Sequence, residues 1–260
     1  MISSRVIRED ILRMIHSAGS GHPGGSLSLV EILLHLYWKE MRIDPERPQW
    51  EDRDRLVLSK GHGAPALYSI LSRRGYFPIE KLDTLRKFGS GLEGHPHMQS
   101  LPGLDCSTGS LGQGLGIAAG LALGLSIRKS SARVFCILGD GELQEGSIWE
   151  SAMSIPALKQ MNITVIVDRN HVQLDDAVDK VIPIEPLTYK WRAFGWAVAI
   201  CNGHDSDDIE KAFSTKSDKP LVIIAETVKG KGVSFMENQA LWHGKAPDED
   251  QLQKALEELE

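Results

Sequence analysis

The run Val134-Phe135-Cys136-Ile137-Leu138, closed by Gly139-Asp140-Gly141, and the run Ile163-Thr164-Val165-Ile166-Val167, closed at Asn170, decide the fold of this chain. Each is continuous, rich in β-branched residues and ended by glycine or polar groups, as in a strand buried on both faces. The segment between them is long enough for a helix and a right-handed crossover between parallel neighbours. Asp140 and Asn170 then leave the same carboxyl edge of one sheet, where open α/β sheets bind ligands. The expected fold class is α/β, a three-layer sandwich around a mostly parallel sheet. Two oxygen ligands at such an edge suit a hard divalent cation with a diphosphate, because Mg²⁺ takes a few protein oxygens and adds phosphate oxygens.

The flanking residues extend this reading. Glycines on both sides of Asp140 let backbone approach a phosphate closely. Glu142-Leu143-Gln144-Glu145-Gly146 opens a helix, whose amino end favours anions. Acidic residues there suit a site that also holds a metal ion. A plainer reading makes Asp140 a helix cap and Asn170 a turn residue. Gly-Asp-Gly alone does not separate the two; the ordered pattern of strand, Gly-Asp-Gly, second strand and Asn is far more specific.

Composition sets outer bounds. The chain has 260 residues, 42% of them hydrophobic and 25% charged, ordinary globular usage that allows one large domain over residues 1–260. Net charge is −6 without a basic stripe, which argues against nucleic acid as a partner. No stretch approaches the length of an apolar membrane span. Arg5, Arg8, Glu9 and Asp10 interrupt the early residues, leaving no signal-like apolar core. Cys106, Cys136 and Cys201 are scattered without metal spacing, so a reducing, cytoplasmic compartment is expected.

Periodicity predicts a helix over 3–17, a Gly/His/Pro loop at 19–25 and a helix over 28–39. A turn-like segment at 42–50, a short strand at 55–59 and helices near 64–74 and 79–88 follow. Residues 89–108 read as a long loop, often the functional kind. A small-residue helix is expected at 110–127, with Gly112, Gly116, Gly120 and Gly124 every fourth position; such a face suits close backbone packing, at a subunit contact or within the domain. Beyond the strands at 133–138 and 163–168 come an irregular stretch at 171–186, a helix near 188–194, a strand near 196–201, a helix near 206–214, a strand at 221–225 and a terminal helix over 247–260.

Five histidines stand beside glycine in loops: His22, His62, His95, His204 and His243. Histidine suits proton transfer and hydroxyl recognition near neutral pH. Each alone reads equally as a structural loop residue. None has a zinc-site spacing, and Gly94-His95-Pro96-His97 offers at most weak chelation.

Seven stretches in order carry a family likeness: Ser20-Gly21-His22-Pro23-Gly24, Leu58-Ser59-Lys60-Gly61-His62-Gly63, Gly94-His95-Pro96, Ser107-Thr108-Gly109-Ser110-Leu111-Gly112-Gln113-Gly114, Gly139–Gly146, Gly203-His204-Asp205 and Trp242-His243-Gly244. The segment Gly139–Asn170 resembles the thiamine diphosphate signature, and the whole chain resembles the amino-terminal, diphosphate-binding part of transketolase. That resemblance implies the thiamin-diphosphate-binding fold and a role as the N-terminal subunit of a split transketolase. Asp140, Asn170 and the Val172 carbonyl would hold Mg²⁺ or Ca²⁺. His62 and Gly141 would contact the diphosphate, with Gly109 and Leu111 along the cofactor. His95 would bind donor hydroxyls, His22 and His243 would face the sugars, and Glu145 would reach a partner glutamate. His204 is expected to be structural, in a turn where Asp205 starts a helix.

Arg169 departs from the Asn or Asp frequent in the family at that position. The pyrimidine-binding and C-terminal domains of full-length relatives have no counterpart here. The resemblance therefore implies a separate C-terminal subunit carrying the activating glutamate, in an α2β2 heterotetramer, with sugar phosphates as substrates and pentose phosphates as the default. Two other readings stay open. One is half of a 2-oxoacid dehydrogenase or deoxyxylulose-phosphate-synthase-like enzyme, less well matched by Ser-Gly-His-Pro-Gly and Trp-His-Gly. The other is a non-catalytic diphosphate-binding subunit, which would not need this histidine set.

Overall fold

A computed structural model describes residues 2–260, built on a five-stranded sheet. Its strands are β1 (Arg55–Leu58), β2 (Val134–Gly139), β3 (Ile163–Arg169), β4 (Ala197–Asn202) and β5 (Leu221–Glu226), in the order β1-β2-β3-β5-β4. All neighbouring pairs are parallel. The register pairs Val134 with Ile163 and Gly139 with Asp168, so the segments carrying Asp140 and Asn170 leave adjacent strands at one edge.

Alternation explains the continuous apolar runs. Phe135 and Ile137 of β2, Ile166 of β3 and Leu221, Ile223 and Ala225 of β5 enter one core. Val134, Cys136 and Leu138, Val165 and Val167, and Val222 and Ile224 enter another on the opposite face. Both faces are dry, so neither set of positions is polar.

The helices in chain order are α1 (Ser4–Ala18), α2 (Pro23–Leu27), α3 (Val30–His35), α4 (Ala64–Arg73), α5 (Gly114–Ile127), α6 (Gly146–Ala157), α7 (Val178–Val181), α8 (Leu187–Ala193), α9 (Ser206–Phe213) and α10 (Glu249–Glu258). Residues of α1–α4, α9 and α10 fill the first core; those of α5–α8 fill the second. The result is the expected three-layer α/β arrangement. α1 begins where Ser3 Oγ accepts from the Arg5 amide and ends at Gly19 in the left-handed region. α10 begins with a capping box of Asp248 and Gln251.

Several expectations shift. The loop at 19–25 gives way to α2 at Pro23, whose fixed φ and missing N–H suit a first helical turn. The helix at 28–39 divides into α3 and a wide π-turn over Leu36–Glu40. The helix at 79–88 shrinks to a 3₁₀ segment, Ile79–Thr84, before Arg86 adopts φ 58°. The stretch 171–186 gains α7 and a bridge between Val172 and Ala177. The glycine face also divides. Gly114 lies against β1, where a Cβ would collide with the Ser59 side chain, and a Cβ at Gly112 would sit 2.7 Å from Glu145 Cβ. Gly120 and Gly124 face open space, so packing within the chain does not account for them. No helix among the described residues is long and apolar enough to cross a membrane.

Candidate active site

Four adjacent strands deliver polar residues to one edge. β1 hands on Ser59, Lys60 and, past Gly61, His62. β2 ends at Asp140 and Gly141. β3 carries Asp168 and leads to Asn170 and Val172, while β5 leads through Thr227 to Lys229. A cavity of about 240 Å³ opens there, lined by His62, Asp140, Asn170, Val172, Lys229 and His243 among others.

Two buried carboxylates fix this edge from below. Asp168 accepts from Lys60 Nζ at 2.5 Å, Ser28 Oγ at 2.7 Å, Asn170 Nδ2 at 3.2 Å and Thr227 Oγ1. Burial alone would raise its pKa, but Lys60 and these donors outweigh burial and hold it below the usual carboxylate range. Lys60 is 1% exposed, so this is a fully internal ion pair. Glu142 turns inward to accept from Ser59 Oγ at 2.5 Å, the Gly112 amide at 2.9 Å and the Gly139 amide at 3.1 Å. It ties β1, β2 and the start of α5 together, and burial raises its pKa. The helix expected after Asp140 opens as a 3₁₀ turn, Gly141–Gln144, with α6 following.

Asp140 and Asn170 make both the local bonds of the plainer reading and a shared site. Asp140 accepts from the Gly141 amide at 2.8 Å and the His171 amide at 2.6 Å. Arg169 Nη1 lies 3.3 Å from the same carboxylate, and the Arg169 guanidinium also reaches Asp179 and Glu185. Burial, then Asp168, raises the Asp140 pKa despite these donors. Asn170 Oδ1 accepts from the Val172 amide at 3.2 Å, while its Nδ2 is held by Asp168. Lys229 Nζ donates to the Val172 carbonyl at 2.9 Å, the Gln173 carbonyl at 3.3 Å and His243 Nδ1 at 2.8 Å.

Four of the glycine-flanked histidines converge. The His22 ring centroid lies 5.4 Å from that of His62, 5.5 Å from His243 and 6.1 Å from His95; His62 and His243 are 5.1 Å apart. Burial, then the Arg86 charge, lowers the His22 pKa to about 4. Burial, then Lys229, lowers His243 to about 3. Burial and Lys60 hold His62 well below 6.5, and His95 is lowered by burial and Arg86. All four are neutral imidazoles at neutral pH. Because Nδ1 of His243 accepts from an ammonium, the ring proton sits on Nε2. Lys229 itself is lowered to about 8, chiefly by burial and then by Lys60.

Of the site residues read from sequence, Asp140, Gly141, Asn170, Val172, His62, Leu111, Glu145 and His243 line the cavity. His22 and His95 stand beside it, and Gly109 backs the His95 ring, where a Cβ would approach within 3.0 Å. His204 is structural: Nδ1 lies 2.9 Å from Glu31, Nε2 accepts from the Val228 amide at 2.8 Å, and Asp205 caps α9. Lys60 and Lys229 escaped the sequence reading. Each follows the end of an apolar strand within three residues, a place where a lysine reads equally as a surface residue. His62 also depends on Gly25, where a Cβ would sit 3.1 Å from its Nε2.

Comparison with known proteins gives this arrangement its family. Residues 3–259 match the family described as "Transketolase, thiamine diphosphate binding domain". The chain is 45% identical over 260 residues to the 6-deoxy-6-sulfo-D-fructose transketolase subunit SqwG of a Clostridium species, covering 99% of this chain and 94% of that one. It is 39% identical over 261 residues to an apulose-4-phosphate transketolase subunit of Phocaeicola vulgatus, covering 99% and 92%. The transketolase structure from Campylobacter jejuni superposes with a TM-score of 0.93 at 33% identity, over 98% of this chain and 42% of that one. The chain thus spans about two fifths of the solved transketolase and nearly all of the relatives named as subunits. It belongs to the transketolase family, as a thiamine diphosphate-binding transketolase subunit.

Proposed function

We propose that residues 1–260 form one diphosphate-binding domain of a two-chain active site that moves a two-carbon ketol unit from a ketose to an aldose. The observation that carries this reading is the convergence, at one cavity, of an oxygen-only ligand set, two lysine ammoniums and a group of neutral histidines.

The donor set fits a hard cation. Asp140 offers a carboxylate, Asn170 an amide oxygen and Val172 a carbonyl: few protein ligands, all oxygen, leaving positions for phosphate oxygens. These residues would hold Mg²⁺ or Ca²⁺. Lys60, Lys229 and His62 would face the diphosphate, with Gly141 giving backbone access and Gly109 and Leu111 along the cofactor. Bound thiamine diphosphate supplies the electron sink for breaking the carbon–carbon bond next to a ketose carbonyl. The chain's own share is placement and proton handling. His95 would bind donor hydroxyls. His22, kept neutral, can accept a hydrogen bond from a sugar hydroxyl. His243 presents Nε2–H, and with Lys229 on Nδ1 it resists protonation, so it serves better as a donor that orients the sugar than as a base.

A second chain would bring the pyrimidine-binding and C-terminal domains, with Glu145 near a partner glutamate, in a cytoplasmic α2β2 assembly. Relatives of matching length named as subunits support a separate partner chain. Their names cite a sulfonated fructose and a sugar phosphate, which favours an acid-tailed sugar here without favouring pentose phosphates.

The test is ketol transfer with thiamine diphosphate and Mg²⁺, run on this chain alone and with its C-terminal partner. Turnover is expected only in the mixture; turnover by the chain alone would rule out the two-chain site. Asp140→Ala should abolish cation-dependent cofactor binding in the assembled enzyme, and unchanged binding would remove Asp140 from the site.

A further inference from the structure

Arg169 has no part in the reaction proposed above, yet it lies at the centre of the cation side of the site. It is the last residue of β3, between Asp168 and Asn170, and only 2% of it is exposed. Its guanidinium is divided. Nη1 lies 3.3 Å from Oδ2 of Asp140, the carboxylate proposed as a cation ligand. Nη2 donates to Glu185 at 3.2 Å and to Asp179 at 3.4 Å.

The other charges nearby are committed elsewhere. Asp168 is paired with Lys60, Glu226 with His171 and Asp176 with Lys180. Lys229 faces the same cavity as Asp140, but its ammonium is bound to two carbonyls and to His243. Asp179 and Glu185 have no cationic partner except Arg169 among the described residues. One internal cation is therefore shared by three carboxylates. The Asp140 side chain is 3% exposed, whereas those of Asp179 and Glu185 are 54% and 53% exposed at the rim.

Asp140 does not depend on Arg169 for its orientation. The Gly141 and His171 amides hold its two oxygens at 2.8 Å and 2.6 Å. His171 is itself fixed, at φ 66° with Nε2 2.7 Å from Glu226. What Arg169 adds is charge. A divalent cation on Asp140 would have a guanidinium as its neighbour, and like charges away from water repel strongly. Asp179 and Glu185 offset that guanidinium and give it other oxygens to hold. Glu185 is well placed for this, since its second oxygen accepts from the Leu187 amide at 2.6 Å where α8 begins.

We infer that Arg169 is a built-in competitor for the cation site, and that Asp179 and Glu185 set cation affinity by drawing it off Asp140. Arg169 is a positioning residue here, acting on the cation through the shared carboxylate. The inference rests on the cation-site reading above and adds to it a control exerted by two rim residues that are not ligands.

The two sides of this arrangement have opposite signs. Without the rim carboxylates, a buried guanidinium keeps Asp140 as its one counter-charge, and cation binding must break that pair. Without the guanidinium, Asp140 is free for the cation. The test uses the assembled enzyme with thiamine diphosphate, titrated with Mn²⁺ while the free ion is followed by electron paramagnetic resonance. Asp179→Asn/Glu185→Gln should weaken Mn²⁺ binding by about tenfold, and Arg169→Gln should tighten it by about threefold or more. The triple variant should bind like Arg169→Gln, because the rim carboxylates act through the guanidinium. If they instead attract the cation by their own field, the triple variant will bind as much more weakly than Arg169→Gln as the double variant does than the wild type, and the inference is overturned. Unchanged or tighter binding by the double variant overturns it too, as does weaker binding by a folded Arg169→Gln. Both rim residues are half exposed, so the double variant should melt near the wild type, and its affinity decides the matter should Arg169→Gln not fold. If the wild type retains Mn²⁺ no better than Asp140→Ala, the cation-site reading itself fails and the inference with it.

Discussion

Lys60 and Asp168 show what a single side chain contributes to this site. An ammonium and a carboxylate wholly out of water tolerate each other only as a pair. Lys60→Met should therefore cost about 3–5 kcal/mol by stranding Asp168, visible as a lowered denaturant midpoint with an unchanged slope; a loss below about 1 kcal/mol would show that Asp168 has other sufficient partners. At this scale the sequence is partly legible. Asp140, Asn170 and the glycine-flanked histidines can be read because each ends an apolar run or interrupts a loop. Lys60 and Lys229 cannot be separated from ordinary surface lysines, since pattern reveals neither burial nor the carbonyls that Lys229 binds. Arg86 stays hidden for a related reason: its backbone strain has no signature in composition.

Among the elements, α5 makes the sharpest contrast. Gly114 touches β1 so closely that an added methyl must displace one of them. Gly114→Ala should destabilise the chain by about 1–3 kcal/mol through overpacking, and it should weaken cofactor binding because Ser59, the residue displaced, holds Glu142 at the site edge. Gly120→Ala on the same helix meets nothing within 4 Å and should instead stabilise the chain by up to about 1 kcal/mol through helix propensity. Thermal melting of the two variants checks both signs, and shifts in the same direction would contradict the packing described. Strand positions are the most readable elements, because both faces of β2 and β3 are buried and leave long apolar runs. Apolar spacing at 79–88 predicts a helix. Left-handed geometry at Arg86 and Gly89 stops it early, a constraint that such spacing does not display.

Across the whole molecule, pH couples the site to stability. The folded pKa values of His22 and His243 lie near 4 and 3, below the ordinary 6.5, so the unfolded chain takes up protons first as pH falls. Their neutral forms support the fold fully above about 6.5, and that support declines from there toward 4 for His22 and toward 3 for His243. Glu31, lowered to about 2 by His204 and Arg8 against the opposing effect of burial, adds a second loss between 4.5 and 2. Melting temperature should drop across both windows, and a flat profile between pH 7 and 4 would contradict the neutral histidine group. The three-layer architecture is readable from the two runs that carry the site, whereas the reversal placing β5 between β3 and β4 is not, because strand order leaves no local mark. The bonds gathered by Asp168 and Glu142 have one more consequence. Both carboxylates are held by partners within this chain, so in the reading proposed above the cation and diphosphate side would be organised by folding of this chain. A partner that docks onto it finds a finished socket, and the entropy of ordering these groups has already been spent during folding. Docking of the proposed partner would then resemble the meeting of two rigid bodies, and a mutation at Asp168 or Glu142 would be expected to act on folding before it acts on association.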